Sequence, residues 1–297
     1  MKIKLLITTV FLAFFSANAQ YTKEINTNRP SSSMGAYSVS KGIVQIEGGF
    51  TYQNDQFKND QKNQQNNFQL QVRYGEITDQ LEFIADLNFS SYKQQQLNET
   101  FSKSGISQLN FGAKYLLYDH YKYYVEKRNV YSWKANQKFK WRRLIPAISV
   151  YAGVQMNTEN NLYYPELPET GLKTMLIAQQ HWNERFSITY NLIGSHITDK
   201  DFKNWSYVVT ASLGISQRVS VFGEHIGIID RNYNGFTVPF KNEALLKGGL
   251  TYKLSPDLQM DLFAGTNVDS APRKIQAGIG LSWRNLKKFV FKDPMEF

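Results

Sequence analysis

The sequence predicts an all-β protein, a transmembrane antiparallel up-and-down β-barrel of about 12 strands. Three observations lead to this prediction: an export signal, twelve segments in which apolar and polar residues alternate, and a parity rule in their connections. Mean hydropathy is −0.44, and no apolar run after the first twenty residues approaches the ~20 residues that a spanning helix needs. Any membrane residence must therefore come from strands.

The first residues have the pattern of a secretory signal. Lys2 and Lys4 precede an apolar run over residues 5–15, and small residues follow at 17–19. This is the order of regions that a signal peptidase recognises, and the apolar run is too short to span a bilayer. We expect a signal peptide over residues 1–19 and a mature chain that begins at Gln20.

Composition limits the chemistry. The chain has no Cys, which excludes disulfides and thiolate chemistry, and no two of its four His have metal-ligand spacing. We expect no cofactor, no metal and no enzymatic activity. The formal net charge is +9, and most of it lies in one basic insertion at 119–142. In an exported protein such a stretch meets acidic lipid head groups more readily than DNA, so no nucleic-acid partner is expected.

The alternating segments supply the strands. They lie at 42–53, 66–75, 80–90, 105–117, 143–156, 171–182, 185–196, 204–216, 218–229, 242–254, 257–267 and 273–284. Most of them match or exceed the ~9 to 11 residues of a tilted membrane-crossing strand. Strands of a soluble sandwich also alternate but are usually only ~5 to 6 residues long.

The connections follow a rule of parity. Every second connection is tight, at 76–79, 183–184, 217 and 255–256, whereas the others are long and polar, at 54–65, 91–104, 157–170 and 230–241. Short periplasmic turns with longer outer loops are typical of outer-membrane barrels. The basic insertion 119–142 breaks the rule, and we expect a periplasmic elaboration there. The domain plan is then a periplasmic or lumenal segment at 20–41, the barrel at 42–284 and a tail at 285–297.

The last segment carries a pattern that resembles the signal read by the barrel assembly machinery. The pattern consists of Gln276, Gly278, Leu281 and Trp283. We expect that machinery, outer-membrane lipids and lipopolysaccharide as partners of the chain.

If the apolar residues of each alternating segment face lipid, the residues between them face the lumen. These lumenal residues carry charges of both signs. The acidic residues are Glu47, Glu82, Asp86, Glu224, Glu243 and Asp261, and the basic ones are Arg73, Lys114, Lys247, Lys253, Lys274 and Arg284. They can form a structural salt-bridge network or an eyelet that filters solutes, and these readings are compatible. Inward glycines are expected to leave extra room, namely Gly49, Gly75, Gly112, Gly249, Gly265, Gly278 and Gly280.

The segment 20–41 has no strand-length alternation, and Pro30 keeps it out of a central strand. Arg29 can pair with lumenal Glu47 or Asp86 and pin the segment in the barrel mouth as a plug. The alternative is a solvated leader that only connects the signal peptide to the first strand.

Several stretches resemble a known family, the bacterial outer-membrane proteins of meta-pathway phenol degradation (MetA type). They are TNRP at 27–30, GIVQIEGG at 42–49, NFGAKY at 110–115, VFGE at 221–224 and GLTYKLSPDLQMD at 249–261. Asn28 stands where the family usually has an acidic residue. The resemblance implies an outer-membrane barrel with a transport role.

We therefore expect a transporter or passive channel for small solutes, apolar or aromatic ones among them. One alternative is a structural or adhesive barrel that binds through its outer loops. A lipid hydrolase is disfavoured because outward His225 has no outward Ser spaced to pair with it on its strand, and no Gly-x-Ser-x-Gly elbow occurs.

Overall fold

The computed structural model describes residues 24–57, 62–75, 77–96, 99–120, 130–131, 141–157, 169–183, 185–233, 236–238, 244–268 and 273–285. The predicted signal peptide (1–19), most of the basic insertion 119–142, Glu243 and nearly all of the predicted tail at 285–297 lie outside the described residues.

The described residues form thirteen antiparallel strands and one short 3-10 helix at Trp141–Leu144. The strands are β1 (Ile43–Gln56), β2 (Lys62–Gly75), β3 (Leu81–Gln96), β4 (Glu99–Tyr118), β5 (Ala147–Asn157), β6 (Thr170–His181), β7 (Phe186–Ser195), β8 (Asn204–Gly214), β9 (Val219–Tyr233), β10 (Phe236–Val238), β11 (Leu245–Ser255), β12 (Leu258–Asn267) and β13 (Arg273–Asn285). In this part of the chain, no helix is long and apolar enough to cross a membrane.

Twelve of these strands close into a barrel. Each pairs with its neighbour in the chain, β9 pairs with β11, and β13 pairs with β1 through a ladder from Val44–Asn285 to Gln56–Arg273. The short strand β10 is not part of the closed barrel. It pairs antiparallel with the end of β9 and with no other described strand. The prediction of a closed antiparallel barrel of about 12 strands is confirmed.

Three of the predicted long outer loops contain continuations of strands, and 230–241 includes the end of β9 and all of β10. Residues 54–65 and 91–104 lie mostly in β1–β2 and β3–β4, whose ladders reach Gln56–Lys62 and Gln96–Glu99. Polar residues on both faces gave no alternation there, because an extended hairpin beyond the bilayer has water on both sides. We call the side on which these hairpins project the outer side.

The alternation separates two surfaces of the wall. On β1, Gln45 and Glu47 point inward and are 1% exposed, whereas Phe50 points outward and is 45% exposed. Large apolar side chains are exposed in the same way along the outward face of the other strands. An apolar exterior of this extent is the surface of a protein that sits in lipid.

This register predicts the effect of a charge on either face of β8. Val209 faces outward at the centre of β8, and Ser212 faces the lumen on the same strand. Val209→Lys should destabilise the barrel in lipid vesicles by roughly 2 to 4 kcal/mol, the cost of a basic residue at the bilayer midplane. Ser212→Lys is the matched control and should fold nearly as wild type. Heat-modifiable migration and urea unfolding measure both, and equal losses would contradict the register.

Candidate functional site in the barrel lumen

Residues 24–41, here called the N-terminal segment, lie inside the barrel. Ile25, Met34, Ala36 and Val39 of the segment are buried. The segment forms no helix or strand, so its backbone N–H and C=O groups lack ladder partners. Buried backbone groups need partners, and inward side chains of the wall supply them.

Three wall carboxylates accept backbone N–H groups of the segment. Glu47 Oε2 accepts from the N–H groups of Asn28 and Arg29, both at 2.9 Å. Glu224 Oε2 accepts from Ser32 N at 2.8 Å, and Glu82 Oε2 accepts from Val39 N at 2.6 Å. Hydrogen bonds to a charged acceptor are about twice as strong as neutral ones. The carboxylates therefore hold the segment at three points along its length.

Two wall cations bind backbone carbonyls of the same segment. Arg73 Nη1 donates to Asn26 O at 2.8 Å, and Lys114 Nζ donates to Gly35 O at 2.8 Å and Tyr37 O at 3.0 Å. The alternation in the sequence predicts that both cations face the lumen, but it carries no signal for backbone carbonyls as their partners.

The same cations and carboxylates form an ion network. Arg73 lies 3.1 Å from Glu47 and 3.1 Å from Glu82, and Lys114 lies 2.8 Å from Glu82. All four side chains are 0% exposed. Their desolvation costs several kcal/mol per ion, which only close pairing and further hydrogen bonds offset.

Uncharged wall side chains complete the contacts. Asn191 binds both backbone groups of Met34, accepting from N at 2.5 Å and donating to O at 2.9 Å. Gln179 accepts from Ala36 N at 2.9 Å, and Ser149 donates to Ala36 O at 2.5 Å. Sequence reasoning missed these residues, because inward parity is their only signal and many lumenal residues share it.

One side of the lumen is apolar. Met34 and Ala36 of the segment belong to a buried cluster with Ile84, Leu116 and Ile177 of the wall, among other residues. These wall residues are inward, so the inward face of β3–β6 is not uniformly polar. The segment therefore buries apolar surface as well as polar groups, which favours its place in the lumen.

The remaining predicted charges take separate partners. Lys247 lies 3.5 Å from Glu224, and Arg284 lies 2.7 Å from Asp257 at the end of the β11–β12 turn. Asp86 accepts a hydrogen bond from Gln71 at 2.6 Å. The predicted lumenal charges thus fall into several local groups.

Arg29 lies against a floor made by two glycines. Its Nη2 donates to Asp261 Oδ1 at 3.3 Å, while its backbone N–H binds Glu47. Gly49 and Gly280 are cross-strand partners, and a Cβ atom on them would lie 2.1 Å from Arg29 Cζ and 2.3 Å from Arg29 Nε. Only glycines at both positions leave space for the guanidinium group.

The expectation that inward glycines leave extra room is wrong. Besides Gly49 and Gly280, the space above Gly112 holds the Tyr151 ring, and the space above Gly278 holds the Phe263 ring. Backbone carbonyls of Val39 and Ser40 crowd Gly75, and similar contacts surround Gly249 and Gly265. A glycine in a strand often marks the close approach of another group, which here is lumenal side chains or the segment.

The residues of the predicted assembly signal lie on β13, the closing strand. Gln276 and Gly278 point inward, and Leu281 and Trp283 point outward and are 48% and 44% exposed. Their role in assembly stays a prediction.

His225, considered above as a lipase base, points outward and stacks on Tyr207 with ring centroids 5.6 Å apart.

Two lumenal cavities adjoin the segment. The outer cavity has a volume of about 400 Å³ and is lined by wall residues towards the hairpins, such as Asn88 and Gln108. The inner cavity has a volume of about 650 Å³ and is lined by residues of the tight turns, such as Gln217. Arg29, Pro30, Ser31 and Ser33 line both cavities. The segment therefore lies between them.

Comparisons with known proteins agree with this architecture. The family model described as "Putative MetA-pathway of phenol degradation" matches residues 27–285. The chain is similar to the COG4313 outer membrane channel from Pseudomonas putida F1, with a TM-score of 0.57 at 10% identity over 88% of this chain and 100% of that one. It also resembles the translocator domain of autotransporter NalP from Neisseria meningitidis (TM-score 0.47, 8% identity, 86% and 90% covered) and the CymD monoaromatic hydrocarbon channel (TM-score 0.43, 8% identity, 83% and 89% covered). No curated protein matches the sequence. These likenesses concern the fold.

The ion network predicts a stability difference between two charge deletions. Glu82→Gln leaves the cations Arg73 and Lys114 with one buried carboxylate fewer, and should cost about 3 to 5 kcal/mol. Lys253→Met removes a cation whose partner, Glu24, is 56% exposed, and should cost under about 1 kcal/mol. Urea unfolding in lipid vesicles measures both values. Similar losses for the two variants would show that burial of the network does not determine its energy.

Proposed function

The chain belongs to the MetA-type phenol-degradation family, and from that premise and the filled lumen we propose that it is an outer-membrane channel for small solutes that the N-terminal segment closes. The supporting observation is the position of the segment between two lumenal cavities. In this proposal, movement of the segment joins the cavities into one path.

The size of the barrel is consistent with a gated path. Eight strands enclose only enough space for their own side chains, whereas sixteen or more leave an aqueous channel. Twelve strands enclose a lumen of intermediate width. Here the N-terminal segment, which is not part of the wall, occupies much of that lumen. Besides a small apolar cluster around Met34 and Ala36, hydrogen bonds and ion pairs hold the segment, and water can replace these polar contacts when it moves.

The lining of the outer cavity bears on the solute. Carboxamide and hydroxyl groups predominate in it, and Met34, Met175, Ile193 and Phe263 add an apolar part. A wholly apolar solute displaces water from these polar groups without replacing its hydrogen bonds, which carries a cost. The proposed solutes are therefore small and able to form hydrogen bonds. Phenol, which has a ring and one hydroxyl, belongs in any test panel.

No catalytic role forms part of the proposal. In the described part of the chain, no three His, Asp or Glu residues are grouped as metal ligands. Absence of conductance in every variant below would instead favour a structural or adhesive barrel.

Two neighbouring glycines provide a test of gating. Gly49→Val places a side chain where the Arg29 guanidinium lies, and should force Arg29 away from Asp261. Loss of such charge-assisted hydrogen bonds should raise the open fraction in planar bilayers about tenfold or more. Gly48→Val is the control, because Gly48 faces outward and a Cβ there meets its nearest atoms only at 3.9 Å. A folded Gly49→Val barrel that conducts no better than the Gly48→Val barrel would contradict the proposed gate.

A further inference from the structure

Carboxamides are the most frequent polar groups in the lining of the outer cavity, and several strands contribute them. Asn67 and Gln69 of β2, Asn88 of β3, Gln108 and Asn110 of β4, and Gln276 of β13 all line it. Each carboxamide offers both an acceptor and two donor hydrogens. The wall carboxamides lie on adjacent strands, β13 and β1–β4. One side of the cavity therefore presents mixed donors and acceptors, which matches the hydrogen bonding of hydroxyl groups.

Two of these carboxamides have a buried polar atom without a hydrogen-bond partner. Asn110 is 3% exposed and Gln276 is 6% exposed, yet Asn110 Oδ1 and Gln276 Nε2 have no hydrogen-bond partner. Neighbouring carboxamides form hydrogen bonds with each other. For example, Asn88 Nδ2 donates to Gln108 Oε1 at 3.3 Å. A buried unpaired polar atom costs about 1 to 3 kcal/mol. A ligand that supplied one donor and one acceptor would remove that cost at both positions.

Most charges at the cavity have an ion-pair partner within the protein. The pairs are Glu47 with Arg73, Arg29 with Asp261, and Lys247 with Glu224. Asp86 accepts a hydrogen bond from Gln71. An ionic solute would lose its hydration and meet few charges without a partner, which is unfavourable in a desolvated space. The site therefore favours a neutral ligand.

The apolar part of the lining limits the ligand further. The Phe263 ring and the side chains of Met34, Met175 and Ile193 form this part. A sugar ring has C–H groups that can pack against such a surface, with hydroxyls at its edge for the carboxamides. Phenol would cover the apolar part but has a single hydroxyl for the many amides.

We propose that the outer cavity is a binding site for a neutral polyhydroxylated solute of one or two sugar rings. The site rests on the proposed channel function, because it holds the solute on the outer side of the closed segment. Its volume of about 400 Å³ lies within the ~300 to 1,000 Å³ of small-molecule sites.

Isothermal titration of the full chain tests the ligand class. The protein is kept in an amine-oxide detergent, because a maltoside head group would compete for the site. The probes are glucose, maltose, phenol and the anion gluconate. Glucose or maltose should bind at least about tenfold more tightly than phenol and gluconate, which corresponds to a difference of about 1.4 kcal/mol.

Three variants locate the site. Asn110→Leu and Gln276→Met keep the shape of the side chain and remove its hydrogen-bonding groups, so each should weaken sugar binding by about two- to tenfold. Thr189→Val, at the inner cavity, is the matched control and should bind as wild type. Heat-modifiable migration confirms that each variant is folded.

Three results would overturn the site: phenol binding as tightly as the sugars, sugar binding unchanged in both outer-cavity variants, or no binding of any probe, which would mean that the cavity holds only water. The channel proposal fails separately. If Gly49→Val conducts while no sugar binds, the site is wrong and the channel stands. If sugars bind while Gly49→Val stays closed, the gate is wrong.

Discussion

The charges of Glu47, Arg73, Glu82 and Lys114 are wholly removed from solvent, and the lumen must compensate for their desolvation. The wall alone does so incompletely, because Glu47 and Glu82 also accept N–H groups of the N-terminal segment, and Arg73 and Lys114 donate to its carbonyls. The segment therefore completes the network. When the segment moves, water enters the lumen and solvates the same groups, so the closed and open states can lie close in free energy.

The contacts between the N-terminal segment and the buried ion network affect both the stability of the barrel and the proposed transport. An apolar plug would seal the lumen, and its release would expose apolar surface to water at a high cost. The observed segment combines a small apolar cluster around Met34 and Ala36 with many polar contacts that water can replace. The contact of Arg29 with Asp261 is the one that a substitution in the wall would disturb most easily. The guanidinium group fits only because two glycines face each other across the β1–β13 ladder. That ladder is also the closure of the barrel, so closure of the sheet and seating of the segment share the same residues.

The sequence could predict the wall but not the partners within it. Alternation placed Glu47, Arg73 and Glu82 on the inward face, since a lipid-facing surface imposes a strict period of two. Beyond the bilayer this constraint ends, so the outer ends of β3 and β4 carried no signal. Arg29 binds Asp261, which is 232 residues away, and only the order and stagger of the closed strands bring them together. A glycine shows that a side chain is absent, but the group that fills the space, as Tyr151 does above Gly112, depends on neighbouring strands.

The most direct measurement compares the conductance of the full chain in planar bilayers with that of a chain lacking residues 24–38, using barrels that migrate as folded on a gel. A closing segment predicts a severalfold larger conductance for the shortened chain, and a return towards the full-chain value when a peptide of residues 24–38 is added to the inner side. The same peptide with Arg29→Ala should restore closure less well, because it lacks the contact with Asp261. Equal conductance of the folded full and shortened chains, with no effect of the peptide, would show that the segment does not close the path.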